Sequence, residues 1–328
     1  MILAGDIGGT KTKLALYSLQ GDKLVSTVKK SFPSKDYPSL EAVLLEFRAQ
    51  AADPISAASF GVAGPVIDGT IKTPNLPWFL DAREIARCLD LDSVALINDL
   101  EATGYGVATL GADEFLTLSA GKVHPQATKA LIAAGTGLGE SILYWDGGAY
   151  RPLASEGGHA DFAPRTSLEI ELLSYLIARF EHVSYERVIS GPGIFNIYNF
   201  LKDSGRHREP GWLRERLESG DQGAVISEAA LAKEAEICVQ ALELFVSAYG
   251  AEAGNHALRA KALGGIYVGG GIVPKILTKL ADGEFMRAFA AKGRYAELLA
   301  RVPVHIILND EAALRGAASF GALRLKNP

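Results

Sequence analysis

Several clusters of glycine and polar residues in this 328-residue chain could do chemistry. Two are turns 127 residues apart, Asp6-Ile7-Gly8-Gly9-Thr10 and Gly135-Thr136-Gly137-Leu138-Gly139. Glycine lacks Cβ, reaches positive φ at little cost, and lets backbone N–H groups approach an anion closely. Both turns follow an apolar run and precede a second run ending in Leu-Tyr (Leu16-Tyr17, Leu143-Tyr144), so each reads as strand, turn, strand. The first glycine lies nine residues before the tyrosine in both, Gly8 to Tyr17 and Gly135 to Tyr144, which suggests an internal duplication. Neither turn has P-loop spacing, so each is either a hairpin phosphate loop or a plain tight hairpin; their pairing favours the phosphate loop.

Asn98 and Asp99 stand at the end of the apolar strand Val94-Ala95-Leu96-Ile97, the edge where open α/β sheets place ligand groups. Asp99 could accept a proton from a hydroxyl, or the pair could cap the helix that follows Leu100. Glu156-Gly157-Gly158-His159-Ala160-Asp161 gathers three polar heads around two glycines, a mixture suited to the paired donors and acceptors of a sugar. Metal ligation by this cluster is disfavoured because no second histidine lies at ligand spacing. A third glycine site, Gly269-Gly270-Gly271, follows the strand Gly265 to Val268. Glu186, before Arg187-Val188-Ile189-Ser190-Gly191-Pro192-Gly193, would by itself be a surface carboxylate.

The elements that must hold these groups alternate α and β. The pattern predicts strands near 2–7, 12–19, 23–30, 56–63, 66–72 and 93–98, with helices near 39–52 and 82–89. Strands and turns at 129–153 repeat the opening, and helices then dominate: 167–182, 192–203, 211–218, 224–250 and 275–292. A strand at 302–308 and a helix at 311–324 close the chain, the helix carrying small residues Ala313, Ala317 and Gly321 at a spacing that permits close packing. At this length two domains are expected: residues 1–110 with about 300–328, and 111–299.

Hydrophobic residues make up 48% and charged residues 22% of the chain, a globular balance, and the net charge of −5 without a basic run disfavours nucleic-acid or anionic-membrane partners. No stretch reads as a membrane span or secretory signal, and Cys88 and Cys238, far apart and without neighbouring ligands, read as reduced buried thiols. A cytoplasmic enzyme is the economical class.

Seven motifs in order carry a resemblance: Gly5-Asp6-Ile7-Gly8-Gly9-Thr10, Gly61-Val62-Ala63-Gly64-Pro65, Ile97-Asn98-Asp99, Gly135 to Gly139, Glu156 to Pro164, Glu186 to Gly193, and Gly270-Gly271-Ile272-Val273-Pro274. Over nearly its whole length the chain resembles the bacterial glucokinases, in the hexokinase branch of the actin-like ATPase superfamily. The resemblance implies two ribonuclease H-like α/β domains around a central cleft, the second larger and richer in helix. It implies ATP-dependent phosphorylation of glucose at the 6-hydroxyl, with Asp99 as base and Asn98, Glu156, His159 and Glu186 on the other hydroxyls. Asp6 would position Mg²⁺ through water; Gly8, Gly9, Thr10, Gly135, Thr136 and Gly137 would meet the phosphates, and Gly270 and Gly271 the adenosine. A homodimer is compatible with the likeness. Lys11 reads as an exposed hairpin lysine, and the zinc-holding cysteine cluster of the repressor-type sugar kinases is missing. Competing readings are a hexokinase of broader or different preference, a sugar sensor without turnover, and an actin-like or chaperone-like ATPase.

Overall fold

The structure is a computed structural model that describes residues 1–21, 23–50, 53–73 and 76–326. The chain divides into two compact units: Met1–Glu114 with Gly148–Ala154 and the residues from Asn309 onward, and Phe115–Gly147 with Ser155–Leu308. The return to the first unit, expected near residue 300, comes at Asn309.

The first unit is built from β1 (Ile2–Ile7), β2 (Lys11–Gln20), β3 (Lys23–Pro33), α1 (Leu40–Arg48), β4 (Ala57–Val62), β5 (Thr70–Lys72), β6 (Phe79–Asp81), α2 (Ala82–Leu89), β7 (Val94–Asn98) and α3 (Asp99–Val107). Its sheet runs in the order β3-β2-β1-β4-β7, with β1, β4 and β7 parallel. The apolar strands are buried because helices and loops cover both faces. One cluster packs Leu3, Phe60 and Leu96 against Phe47 and Trp78, and a second packs Ile2, Ala4 and Tyr17 against the C-terminal helix. Only Thr70–Lys72 of the expected strand at 66–72 forms, paired with the unforeseen β6. The expected helix at 39–52 ends at Arg48, and its positions 51 and 52 lie outside the described residues.

The second unit opens with β8 (Phe115–Ser119), β9 (Lys129–Ala134) and β10 (Leu138–Trp145), the chain passing through β11 (Tyr150–Ser155) before α4 (Ser167–Ile177), α5 (Gly191–Asp203), α6 (Gly211–Ser219), α7 (Gln222–Leu231) and α8 (Glu236–Ala260). It continues through β12 (Gly265–Gly269), α9 (Leu277–Leu280), α10 (Glu284–Ala290), α11 (Ala296–Ala300) and β13 (Val304–Ile307), and α12 (Ala312–Lys326) closes the first unit. Its strands run β10-β9-β12-β13-β8. The order β2-β1-β4-β7 of the first sheet thus recurs as β10-β9-β12-β13. The tyrosine spacing does not follow that repeat. Tyr17 pairs with Ile2, but the strand register pairs Lys129 with Leu143, because the second turn is one residue shorter. A one-residue slip flips a strand side chain to the other face. Tyr17 is accordingly buried, and Tyr144 is 41% exposed.

The expected single helix at 224–250 is two, since Lys233 turns left-handed (φ 56°) between α7 and α8. The expected helix at 275–292 is broken at Gly283 (φ 105°) into α9 and α10, preceded by a 3-10 turn. Cys238 is buried and Cys88 half-buried, both free thiols. Among the described residues no helix is long and apolar enough to cross a membrane.

Candidate active site

In the first unit, parallel register levels the site. Ile7 pairs with Val62 and Val62 with Asn98, so the Gly8–Thr10 turn, Gly64 and Asn98-Asp99 all emerge at the carboxyl edge of neighbouring strands. The turn closes with Gly8 N–H donating to Lys11 O at 3.0 Å. Buried Ser34, in the 3-10 turn just after β3, holds it: its Oγ donates to Gly8 O at 2.7 Å and lies 3.0 Å from Thr12 Oγ1 of β2, while its N–H donates to Thr10 O. Thr12 and Ser34 are fully buried, and sequence inspection gave neither a role. Lys11 is exposed, as expected.

Asp6 faces this edge half-buried. Burial pushes its carboxyl up to about 6 against the pull of Lys13, with Asp310 adding to the rise. Lys13 is itself held by Asp310, whose Oδ2 lies 2.7 Å from Nζ, a pairing that joins residues far apart in sequence and left no signal there. Among the described residues no three His, Cys, Asp or Glu side chains gather to hold a metal. The single hard carboxylate of Asp6 near the end of β1 is a donor type that suits Mg²⁺, which keeps several waters and takes few protein ligands.

Asn98 and Asp99 serve the helix as well as the edge. Asn98 Oδ1 accepts from Leu100 N at 2.8 Å and Glu101 N at 3.3 Å, and its Nδ2 donates to Gly64 O at 3.2 Å. It is the N-cap of α3, and Asp99 is the helix's first residue, with Oδ1 accepting from Leu100 N at 2.9 Å. The capping reading therefore holds for Asn98. Helix α3 is fixed in turn by α12 at a glycine crossing: a Cβ on Gly106 would run into Ala312 O, and one on Gly316 into Ala102 O. That crossing uses Gly316 and Gly106, whereas Ala317 and Gly321 face the β1 side and pack near Ile2.

In the second unit, β9 and β10 frame the Gly135–Gly137 turn, where Gly135 N–H donates to Gly137 O at 2.8 Å. Buried Tyr249 of α8 fastens the strand ends beneath it: its hydroxyl accepts from Ala134 N at 3.2 Å and donates to Gly269 O at 3.0 Å. Gly270 has φ 96°, and a Cβ there would collide with the Ala134 backbone, so only glycine lets the third turn pass the end of β9. Gly135, Thr136 and Gly271 line a cavity of 460 Å³ together with the N-termini of α5 and α7 and with Lys275. Gln222 and Lys275 were not legible from sequence; Ser190-Gly191-Pro192 was, since Ser190 caps α5 by accepting from Gly193 N at 3.0 Å.

Two short 3-10 turns carry the remaining polar heads. Gly157–His159 lies on β10, where a Cβ on Gly158 would run into Leu138 O. Glu156 and His159 are exposed at its ends. Tyr185–Arg187 is joined to it by Tyr185 N–H donating to Ala160 O at 2.9 Å. Glu186 Oε2 accepts from Leu138 N at 3.0 Å in the glycine turn and lies 4.0 Å from His159 Nε2. Glu186 thus bridges the phosphate-type turn and the polar cluster. Asp161 leaves that cluster: its side chain is 91% exposed and pairs with His182 at 2.7 Å.

Comparisons with known proteins show the family. The glucokinase family model matches residues 3–323. A glucokinase of Nostoc sp. is 44% identical over 98% of this chain and 99% of its own length, and one of Synechocystis sp. is 43% identical over 98% and 97%. The crystal structure of a glucokinase from an Antarctic psychrotroph superposes with a TM-score of 0.84 at 30% identity, covering 98% of both chains. The actin-like ATPase expectation for the fold is thereby met, and the chain belongs to the glucokinase family.

Proposed function

We propose the following division of labour for the family's reaction, ATP-dependent phosphorylation of glucose to glucose 6-phosphate. Asp99 takes the proton of the 6-hydroxyl as that oxygen attacks the γ-phosphorus and the bond to the β-phosphate oxygen breaks. Asn98, Glu156, His159 and Glu186 hold the other hydroxyls. Gly8, Gly9 and Thr10 present backbone N–H groups to phosphate oxygens, as do Gly135, Thr136 and Gly137. Gly270 and Gly271 border the adenosine, which the 460 Å³ cavity beside Thr136 and Gly271 accommodates. Asp6 would hold Mg²⁺ through water, and the ion would supply neutralisation of phosphate charge. Phosphoryl transfer asks chiefly for such positioning and charge stabilisation.

The observation that carries this reading is the strand register that levels the Gly8–Thr10 turn with Asn98-Asp99 at one sheet edge. A cytoplasmic location and a homodimer belong to the same reading, and sedimentation of the purified protein tests the second. The deciding experiment is a coupled assay of ADP release with glucose, mannose, fructose, N-acetylglucosamine or no sugar. Glucose-dependent turnover is expected; sugar-independent ATP hydrolysis would point to an ATPase, and a higher kcat/KM on another sugar to a different hexokinase. Within the cluster, Glu156→Gln and His159→Ala are expected to raise KM for glucose about tenfold or more, with KM for ATP nearly unchanged, because each leaves a sugar hydroxyl without its partner. A change confined to the ATP constant would contradict the assignment.

A further inference from the structure

Beneath the Gly157–His159 turn lies a group of ionisable side chains that the reaction does not use. Glu140 of β10 and Glu252 and His256 of α8 are 2%, 0% and 2% exposed. A Cβ on Gly157 would run into Glu140 Oε2, so the turn rests directly on that carboxyl. Glu252 is well supplied with donors. Arg259 Nη2 donates to its Oε1 and Asn255 Nδ2 donates to Oε2 at 2.8 Å. Asn255 Nδ2 also reaches Tyr185 Oη at 2.9 Å, so the network touches the turn that carries Glu186.

Glu140 is not supplied in this way. Its Oε1 has no hydrogen-bond partner, and its Oε2 faces His256 Nδ1 at 3.4 Å and Arg259 Nη2 at 3.6 Å. His256 Nε2 lies 3.0 Å from Ser141 O, and a carbonyl only accepts, so Nε2 carries the ring hydrogen. Burial pulls the His256 pKa down and keeps the ring neutral, which leaves Nδ1 as a lone pair. An ionised Glu140 would meet that lone pair and a buried Glu252 with one guanidinium between two carboxylates. A protonated Glu140 removes that repulsion and has Nδ1, 3.4 Å from its Oε2, as an acceptor within reach. Tyr249 also faces Glu140, and Lys292, whose Nζ donates to Asn255 Oδ1 at 2.6 Å and to Ala251 O at 2.8 Å, faces Glu252. Burial and the charge of Glu252 push Glu140 well above the carboxylate range, the direction the geometry requires.

We propose that Glu140 is a positioning residue for sugar binding: it carries a proton at neutral pH, supports the Gly157–His159 turn in that form, and on losing the proton releases the turn. The proposal rests on the reading that Glu156 and His159 hold the sugar. Proton loss places a negative charge under Gly157 with only Arg259, already held by Glu252, to balance it, and the turn shifts to admit water. Sugar affinity then falls as the solution becomes alkaline, while the nucleotide constant is unaffected.

The experiment measures kcat and both KM values from about pH 7 to about pH 10 for wild type and Glu140→Gln, the isostere of the protonated form. Wild type is expected to show KM for glucose rising about fivefold or more, with KM for ATP flat. Glu140→Gln is expected to keep the neutral-pH KM within about twofold and to lose the alkaline rise. A flat wild-type profile overturns the proposal. So does a rise that persists in Glu140→Gln, which would assign it to Lys292, a side chain that burial pulls down to about 8. A measurement without a variant is glucose calorimetry of the wild type near pH 9 in two buffers of different ionisation enthalpy. Uptake of a proton on binding supports the proposal, and no uptake overturns it, whether or not Glu140→Gln folds. Glu156→Gln separates the underlying reading: if it leaves KM for glucose unchanged at every pH, the turn does not hold the sugar.

Discussion

Asp99→Asn is expected to lower kcat by about a thousandfold while glucose still binds. In the proposed mechanism the substitution removes the proton acceptor while the helix cap stays in place. Asn98, not Asp99, caps α3, and an asparagine at 99 keeps an oxygen for Leu100 N, which Asp99 Oδ1 now accepts at 2.9 Å. The edge position is set by the β4–β7 register and the α3–α12 glycine crossing, neither of which involves the side chain of residue 99. The loss should therefore fall on kcat and on kcat/KM alike, the signature of an interaction made in the transition state. Turnover by Asp99→Asn within a few-fold of wild type would remove Asp99 as the base. The contrasting variant is Asn98→Ala, which strips the α3 cap and the bond to Gly64 O. Capping losses cost about 1 kcal/mol, so it should lower stability as well as activity.

How much of this was legible in the sequence depended on whether the signal was local. Helix α2 was placed residue for residue, because Asp81 accepts from Arg83 N at its start and the left-handed Asp90 stops it. The long helical run after 224 was read as one helix because its break, at Lys233, uses a residue that does not ordinarily mark a left-handed stop. Strand β8 escapes the sequence pattern although Leu116-Thr117-Leu118-Ser119 alternates, since it is short and pairs with β13 across nearly two hundred residues. The glycine turns were found by composition, but what holds them was not. Ser34 under Gly8, Lys13 with Asp310, and Tyr249 under Ala134 and Gly269 are contacts between residues distant in sequence. The nine-residue tyrosine match shows the reverse error: a local spacing suggested duplication, yet register places the two tyrosines on opposite faces, and the repeat resides in strand order. Family motifs single out Glu186 but not its bond to the backbone beside the Gly135–Gly137 turn.

Asp6→Asn is expected to abolish most turnover and yet to stabilise the free protein. The sign follows from the direction of the Asp6 shift. Burial raises its folded-state pKa from 3.8 to about 6, so above that pH the folded protein holds a charge that it disfavours relative to the unfolded chain. A shift of this size corresponds to about 3 kcal/mol at neutral pH, an upper bound that partial exposure reduces to about 1–2 kcal/mol. The penalty fades as pH falls through about 6 and is gone below the unfolded value. Asparagine keeps the shape without the charge and leaves the Lys13–Asp310 pair intact, so the melting temperature at neutral pH should rise by roughly a few degrees. With Mg²⁺ and ATP the order should reverse. Ligand that binds only the folded state raises the wild-type melting temperature by mass action, and the variant, lacking the carboxylate, should gain much less. Thermal melts of both proteins, with and without Mg²⁺ and ATP, decide it. A variant less stable than wild type in the free state would show that Asp6 is held by the fold for its own sake. Equal stabilisation of the two by Mg²⁺ and ATP would remove Asp6 from the metal-positioning role. A charge tolerated at a cost in the empty protein and compensated when a cation arrives is what a phosphoryl-transfer site requires at that strand end.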